Sequence, residues 1–235
     1  MSREAKILAG VIVAIAAGMI GLFVVANGNS TSAPKATGSK TAFVRPSSHK
    51  IGSGPIQLVE YGDYQCPACG AAYPVVQQIM KQYDGKVTLY FRNFPLTELH
   101  PNAQAAANAA EEAGAQGKYW EMHDKLYESQ KDWIDQSASG AADKFAGYAR
   151  ALSLADTKVK SAAEDSTHQQ VIAQDRADGD AQGVNSTPTF FVNGKKIDKN
   201  DFATLRDAIE SALASGAPAG ASSPAAATPT ASPAR

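Results

Sequence analysis

The chain has 235 residues, with 22 lysines and arginines against 23 aspartates and glutamates. That length allows one medium domain with additional segments, or at most two small ones, and a hydrophobic share of 44% supplies a sizeable core. A nearly neutral balance gives no electrostatic footprint for nucleic acid, and no basic run is dense enough to mark a polybasic membrane patch.

Residues 7–26 are an unbroken run of apolar and small residues. As a helix rising about 1.5 Å per residue, the run just spans a hydrocarbon core of roughly 30 Å. Arg3 and Lys6 precede it, and the next positive charge is Lys35, so the positive-inside bias puts the N-terminus in the cytoplasm and the rest outside. The alternative is a cleaved signal peptide, with Val24-Val25-Ala26 as the small-residue site. Its apolar region is normally about 7–15 residues, shorter than this run. Both readings place the remaining chain where a disulfide can persist. Residues 27–53 read as a flexible tether, rich in Ser, Thr, Gly, Ala and Lys. The folded domain is expected over 54–215. Residues 216–235, almost entirely Ala, Pro, Ser, Thr and Gly, are too poor in large apolar groups to fold.

Within the domain, residues 56–61 (IQLVEY) read as a buried strand ending at Gly62-Asp63. Residues 66–83 read as a helix with Pro67 in its first turn and a kink expected at Pro74. Residues 87–91 form a second strand, which makes a parallel βαβ unit. Residues 100–183 carry only helical signals. Ala105, Ala106, Ala109 and Ala110 suit close helix packing, and Trp120, His123, Leu126 and Tyr127 share one face. Residues 189–192 return to strand, Asn193-Gly194 is a type I′ hairpin signal, and residues 195–197 form the returning strand. Phe202, Leu205, Ile209 and Leu213 form the apolar stripe of a last helix. The expected class is therefore α/β: βαβ, an all-helical block of about 100–183, then ββα on a small mixed sheet.

Cys66 and Cys69 are the only cysteines. A loop this short removes little unfolded-state entropy, so the pair is not there for stability. Cys66 stands where a strand end leads into a helix, beside the unpaired N–H groups and partial positive charge of the first turn, which favour a thiolate. Cys69 is one helical turn on, within reach of a disulfide. This makes Cys66 the exposed attacker and Cys69 the shielded resolver. A lone C-x-x-C is also half of a structural zinc site, but His100, His123 and His168 stand at no finger-like spacing.

The segment Tyr61-Gly62-Asp63-Tyr64-Gln65-Cys66-Pro67-Ala68-Cys69 resembles the active-site segment of the DsbA family. Phe91-Arg92-Asn93-Phe94-Pro95-Leu96 with His100-Pro101, then Gly117-Lys118-Tyr119-Trp120 with His123, resemble that family's second strand and the start of its insertion. Thr187-Pro188-Thr189-Phe190 resembles the segment that carries the cis-proline of thioredoxin folds. The resemblance runs from about 56 to 213. It implies a thioredoxin-like fold with a helical insertion and disulfide exchange with extracytoplasmic client proteins. It also implies reoxidation by a membrane quinone-linked thiol oxidase and no cofactor beyond the Cys66–Cys69 disulfide.

Two further roles follow from the resemblance. Glu60, six positions before Cys66, matches a buried acid that accepts a proton from Cys69; the alternative is an exposed edge-strand glutamate. Pro188, if cis, lies against the disulfide and leaves Thr187 to pair with a client strand, whereas an ordinary trans proline only starts a strand. Pro67 and Ala68 border the client. Ala68 departs from the best-known oxidases of the family, which have histidine there, so strong oxidising power does not follow from the match. The expected function is oxidation of client dithiols. The alternatives are a reductase or isomerase of the same fold and, in another class, a tethered peptide-binding or chaperone module. With no dimerisation segment visible, a monomer is expected.

Overall fold

The computed structural model describes residues 43–216. The apolar run at 7–26, most of the tether and the tail after 216 lie outside the described residues. Among the described residues no helix is long and apolar enough to cross a membrane.

The first strand, β1 (His49–Gly52), falls in the segment read as tether. It pairs antiparallel with β3 (Val87–Asn93), which itself runs parallel to β2 (Ile56–Gly62). The end of the supposed tether therefore belongs to the domain. Its polar composition conceals the assignment, because an edge strand needs only backbone partners and one covered face. Just before it, the Arg45 guanidinium donates to both Asp178 carboxylate oxygens (2.5 and 2.6 Å), and Phe43 packs on Phe191.

Between β2 and β3 lies α1 (Pro67–Gln82), with Pro74 in its interior. The insertion follows as α2 (Ala103–Ala115), α3 (Tyr119–Glu128), a 3-10 turn (Gln130–Asp132), α4 (Ala138–Ala151), α5 (Asp156–Asp165) and α6 (Gln169–Ala181). The chain then returns to the sheet as β4 (Thr189–Val192), β5 (Lys195–Lys196) and α7 (Phe202–Ala214). The strand order β1-β3-β2-β4-β5 puts β2 at the centre, with β4 antiparallel on its other side. Asn193 and Gly194 both have positive φ (47° and 80°), as a type I′ turn requires.

Alternation along β2 divides its side chains between two cores. Ile56 and Leu58 join Val76 and Ile79 of α1 and Leu205 and Ile209 of α7. Val59 and Tyr61 face Phe94, Val184 and Phe191 on the opposite side. A third core fills the insertion, where Ala106, Ala109, Ala110 and Ala113 of α2 are fully buried among Met122, Leu126, Trp133 and Phe145. Cys66 and Cys69 belong to this third cluster. The redox pair thus lies on the seam between sheet and insertion.

The buried Arg92 locks that seam from behind. It donates to Asp175 and Asp178 of α6 (both 2.6 Å) and to the Phe43 carbonyl (2.6 Å). Removing Arg92 would leave the Asp175 carboxylate buried without its ion-pair partner.

Candidate active site

Cys66 is the N-cap of α1, in extended conformation (φ −67°, ψ 121°), with Pro67 at the first helical position. No side chain caps this end and no acidic residue occupies the first turn. The free N–H groups are left for the sulfur, and the helix end is electrostatically positive. Both cysteines are free thiols.

The two sulfurs differ sharply in environment. The Cys66 thiol is brought down to about 5, chiefly by hydrogen bonding with the Cys69 thiol and further by Thr187 and the backbone N–H groups of Cys69 and Ala68. Burial pushes the Cys69 thiol well above its ordinary value, and the Cys66 and Glu60 charges add to this. Cys66 is not the exposed residue expected: it is 7% accessible, against 0% for Cys69. The Thr187-Pro188 segment covers it, with the Thr187 carbonyl oxygen 3.4 Å from Cys66 Sγ. The Thr187–Pro188 bond is cis. Pro67 and Ala68 remain exposed.

Glu60 sits on the central strand, not an edge, and is 3% accessible. Its sheet neighbours are Phe91 on β3 and Phe190 on β4. Burial alone pushes its carboxyl up to about 8. A carboxylic acid that titrates near neutrality, within electrostatic range of a buried thiol, can exchange a proton with it. Tyr127, also buried, presents a hydroxyl with no hydrogen-bond partner close to Gly62.

The loop before Cys66 is held from the insertion by side-chain amides. Gln130 Nε2 donates to the carbonyls of Tyr64 (2.8 Å) and Cys66 (2.9 Å). Gln65 Nε2 donates to the Ile134 carbonyl, and its Oε1 accepts from the Asn102 N–H. Gly70 leaves room for this contact: a Cβ there would lie 2.3 Å from Gln130 Oε1, and the amide would have to shift. Asp63 is buried as well: its Oδ1 accepts from the Gln65 N–H (2.8 Å), and its Oδ2 accepts from the Leu96 N–H (2.9 Å) and His100 Nδ1 (2.7 Å). His123 pairs with the Tyr64 hydroxyl (3.1 Å) inside an aromatic cluster. Neither histidine is directed at the sulfurs. Beside Pro67 an open groove of about 380 Å³ is lined by Leu99, His100, Pro101 and Ile134, with Leu99 73% exposed.

A cysteine pair thus opens a helix beside a cis-proline segment, and a helical insertion interrupts a β1-β3-β2-β4-β5 sheet. Residues 48–211 match the family model described as Thioredoxin. The chain belongs to the thioredoxin family. Within the family it is DsbA-like, by class a thiol–disulfide oxidoreductase. It is 31% identical over 169 residues to a Bacillus anthracis protein described as "Probable disulfide bond formation protein D", covering 68% of this chain and 74% of that one. The crystal structure of oxidised BdbD from Bacillus subtilis superposes with a TM-score of 0.65 at 25% identity, covering 71% of this chain and 93% of that one. The chain is also 41% identical over 142 residues to a protein of Salinispora arenicola described as "Na(+)/H(+) antiporter NhaA 1". That match takes in 60% of this chain and 21% of the relative, so the chain spans about a fifth of that relative's length.

The thioredoxin-family frame brings Cys66, Cys69, Thr187 and Pro188 together from two distant segments, with Glu60 within electrostatic range on the adjoining strand. At Ala68, the departure from the oxidase pattern, the backbone N–H helps lower Cys66 even though the side chain cannot. Sequence reading missed Asp63, Gln130 and Tyr127 as site neighbours. Asp63 and His100 stood inside the segments that carry the family resemblance, which was the available signal. Nothing local marked Gln130, because its partners are 64 and 66 positions away.

Proposed function

We propose that this domain catalyses disulfide exchange outside the cytoplasm, oxidising client dithiols through Cys66 and Cys69. The observation that carries the reading is the division between the sulfurs: Cys66 is brought down to about 5 and Cys69 is held high. A client thiolate attacks Cys66 Sγ of the enzyme disulfide. The Cys66–Cys69 bond breaks, and Cys69 leaves with the electron pair and takes up a proton. Glu60, protonated at neutral pH by its raised value, is the group suited to supply that proton and to receive it back when Cys69 attacks. The client's second thiolate then displaces Cys66, which leaves as a stable thiolate. Thr187 offers its backbone to an extended client strand beside Pro188, and Pro67 and Ala68 border the client.

Stabilising the Cys66 thiolate stabilises the reduced enzyme, so its disulfide is an oxidant. Each unit of lowering is worth roughly 30 mV for a two-electron couple. Equilibration with glutathione buffers should give a potential between about −180 and −120 mV, the values typical of disulfide isomerase and DsbA. A value near −270 mV, typical of thioredoxin, would replace this reading with that of a reductase.

The setting is also proposed: a single-pass anchor at residues 7–26 with the catalytic domain outside, and a membrane quinone-linked thiol oxidase as the resetting partner. It rests on the apolar run and on the disulfide-formation description of the Bacillus anthracis relative. A reporter active only in the cytoplasm, fused after Arg235, should be silent. Activity from that fusion would refute the orientation.

A further inference from the structure

Asp63 touches both cysteines through its backbone. Its N–H donates to Cys69 Sγ at 3.5 Å, and its carbonyl accepts from the Cys66 N–H at 3.1 Å. Its carboxylate, fully buried, is held by the N–H groups of Gln65 and Leu96 and by His100 Nδ1. His100 lies in the loop that leads from β3 into α2, so it ties the insertion to the loop before the redox pair.

We propose that Asp63 and His100 form a positioning pair for Cys69: the His100–Asp63 contact fixes the backbone N–H that steadies the resolving sulfur. This rests on the assignment of Cys69 as resolver. The physical reason is the location of Cys69. It is fully buried and must nonetheless become a thiolate, and a buried anion needs fixed donors. The Asp63 N–H is such a donor, 3.5 Å from the sulfur and fixed by the backbone of the loop. Removing His100 leaves the buried Asp63 carboxylate short of one charge-assisted bond, so the loop relaxes and the N–H turns away.

The steps can be separated with oxidised glutathione as the probe and the full chain as the protein. The Cys66 thiolate attacks one glutathione sulfur and releases one glutathione thiolate. Cys69, having lost its proton, attacks Cys66 Sγ, breaks the mixed disulfide and releases the second. The enzyme is oxidised by two electrons and oxidised glutathione is reduced to two thiols. The second-order slope reads the first attack, and the plateau at high glutathione disulfide reads resolution. His100→Ala should lower the plateau about tenfold and leave the slope within about twofold, because only Cys69 loses its donor. His100→Asn, whose side-chain N–H can replace Nδ1, should restore the plateau. An unchanged plateau in His100→Ala would overturn the proposal. Equal falls of slope and plateau in both variants would also overturn it, marking the contact as merely structural. A control keeps the underlying assignment separate: if Cys69→Ser still releases the second glutathione, the resolver assignment fails, and this proposal with it.

Discussion

Cys69→Ser should accumulate client proteins covalently joined to Cys66, whereas Cys66→Ser should trap none and lose exchange altogether. The asymmetry follows from the two environments. Cys66 is the sulfur with a neighbouring opening at the helix start and a value of about 5, so it is a thiolate across the neutral range. An ordinary thiol has only a few per cent thiolate at pH 7. Without Cys69 the mixed disulfide has no internal attacker. Serine at 66 leaves only Cys69, with no accessible surface and its thiol held protonated. Non-reducing gels of cells expressing each variant read the result directly, and equal trapping by both would refute the assignment. Alkylation of Cys66 supplies a second check: its rate should rise with pH to a plateau reached once pH exceeds the thiol's value of about 5.

The second large effect belongs to Glu60. Its carboxyl titrates near 8 when folded and near 4.5 when unfolded. Below about pH 4.5 both states hold the proton and Glu60 adds no pH dependence. Between 4.5 and 8 the unfolded chain ionises first, so stability falls as pH rises, and above 8 the loss levels off. Denaturant unfolding of the oxidised form, in which neither thiol titrates, isolates the carboxyl. Between pH 5 and 8 Glu60→Gln should gain on the parent by on the order of a few kcal/mol, each unit being worth roughly 1.4. The same substitution should slow release of a mixed disulfide by on the order of 10²-fold, a usual size for lost acid–base catalysis, with the first attack near normal. Parallel pH curves together with unchanged release would remove Glu60 from the mechanism.

The apolar patterns of β2, α1 and α7 were legible because each repeats at the period of its own backbone. The Asn193-Gly194 turn was legible because few sequences tolerate two consecutive positive φ values. The Cys66-Pro67-Ala68-Cys69 pair could be placed at a helix start from residues alone, since Pro67 suits the first turn. By itself, therefore, the sequence determined the βαβ, helical and ββα order from β2 onward, the redox pair and the approximate reach of the helical insertion. It did not determine that residues 49–52 add a strand to the sheet edge, because pairing there depends on β3, about forty positions downstream. Nor did it determine the burial of Glu60, which requires Phe91 and Phe190 on either side of it, or the covering of Cys66 by Thr187, 121 positions away. Tertiary structure decided these features because a desolvation penalty and a hydrogen bond both depend on what lies adjacent in space, and sequence periodicity reports only which face of an element is covered.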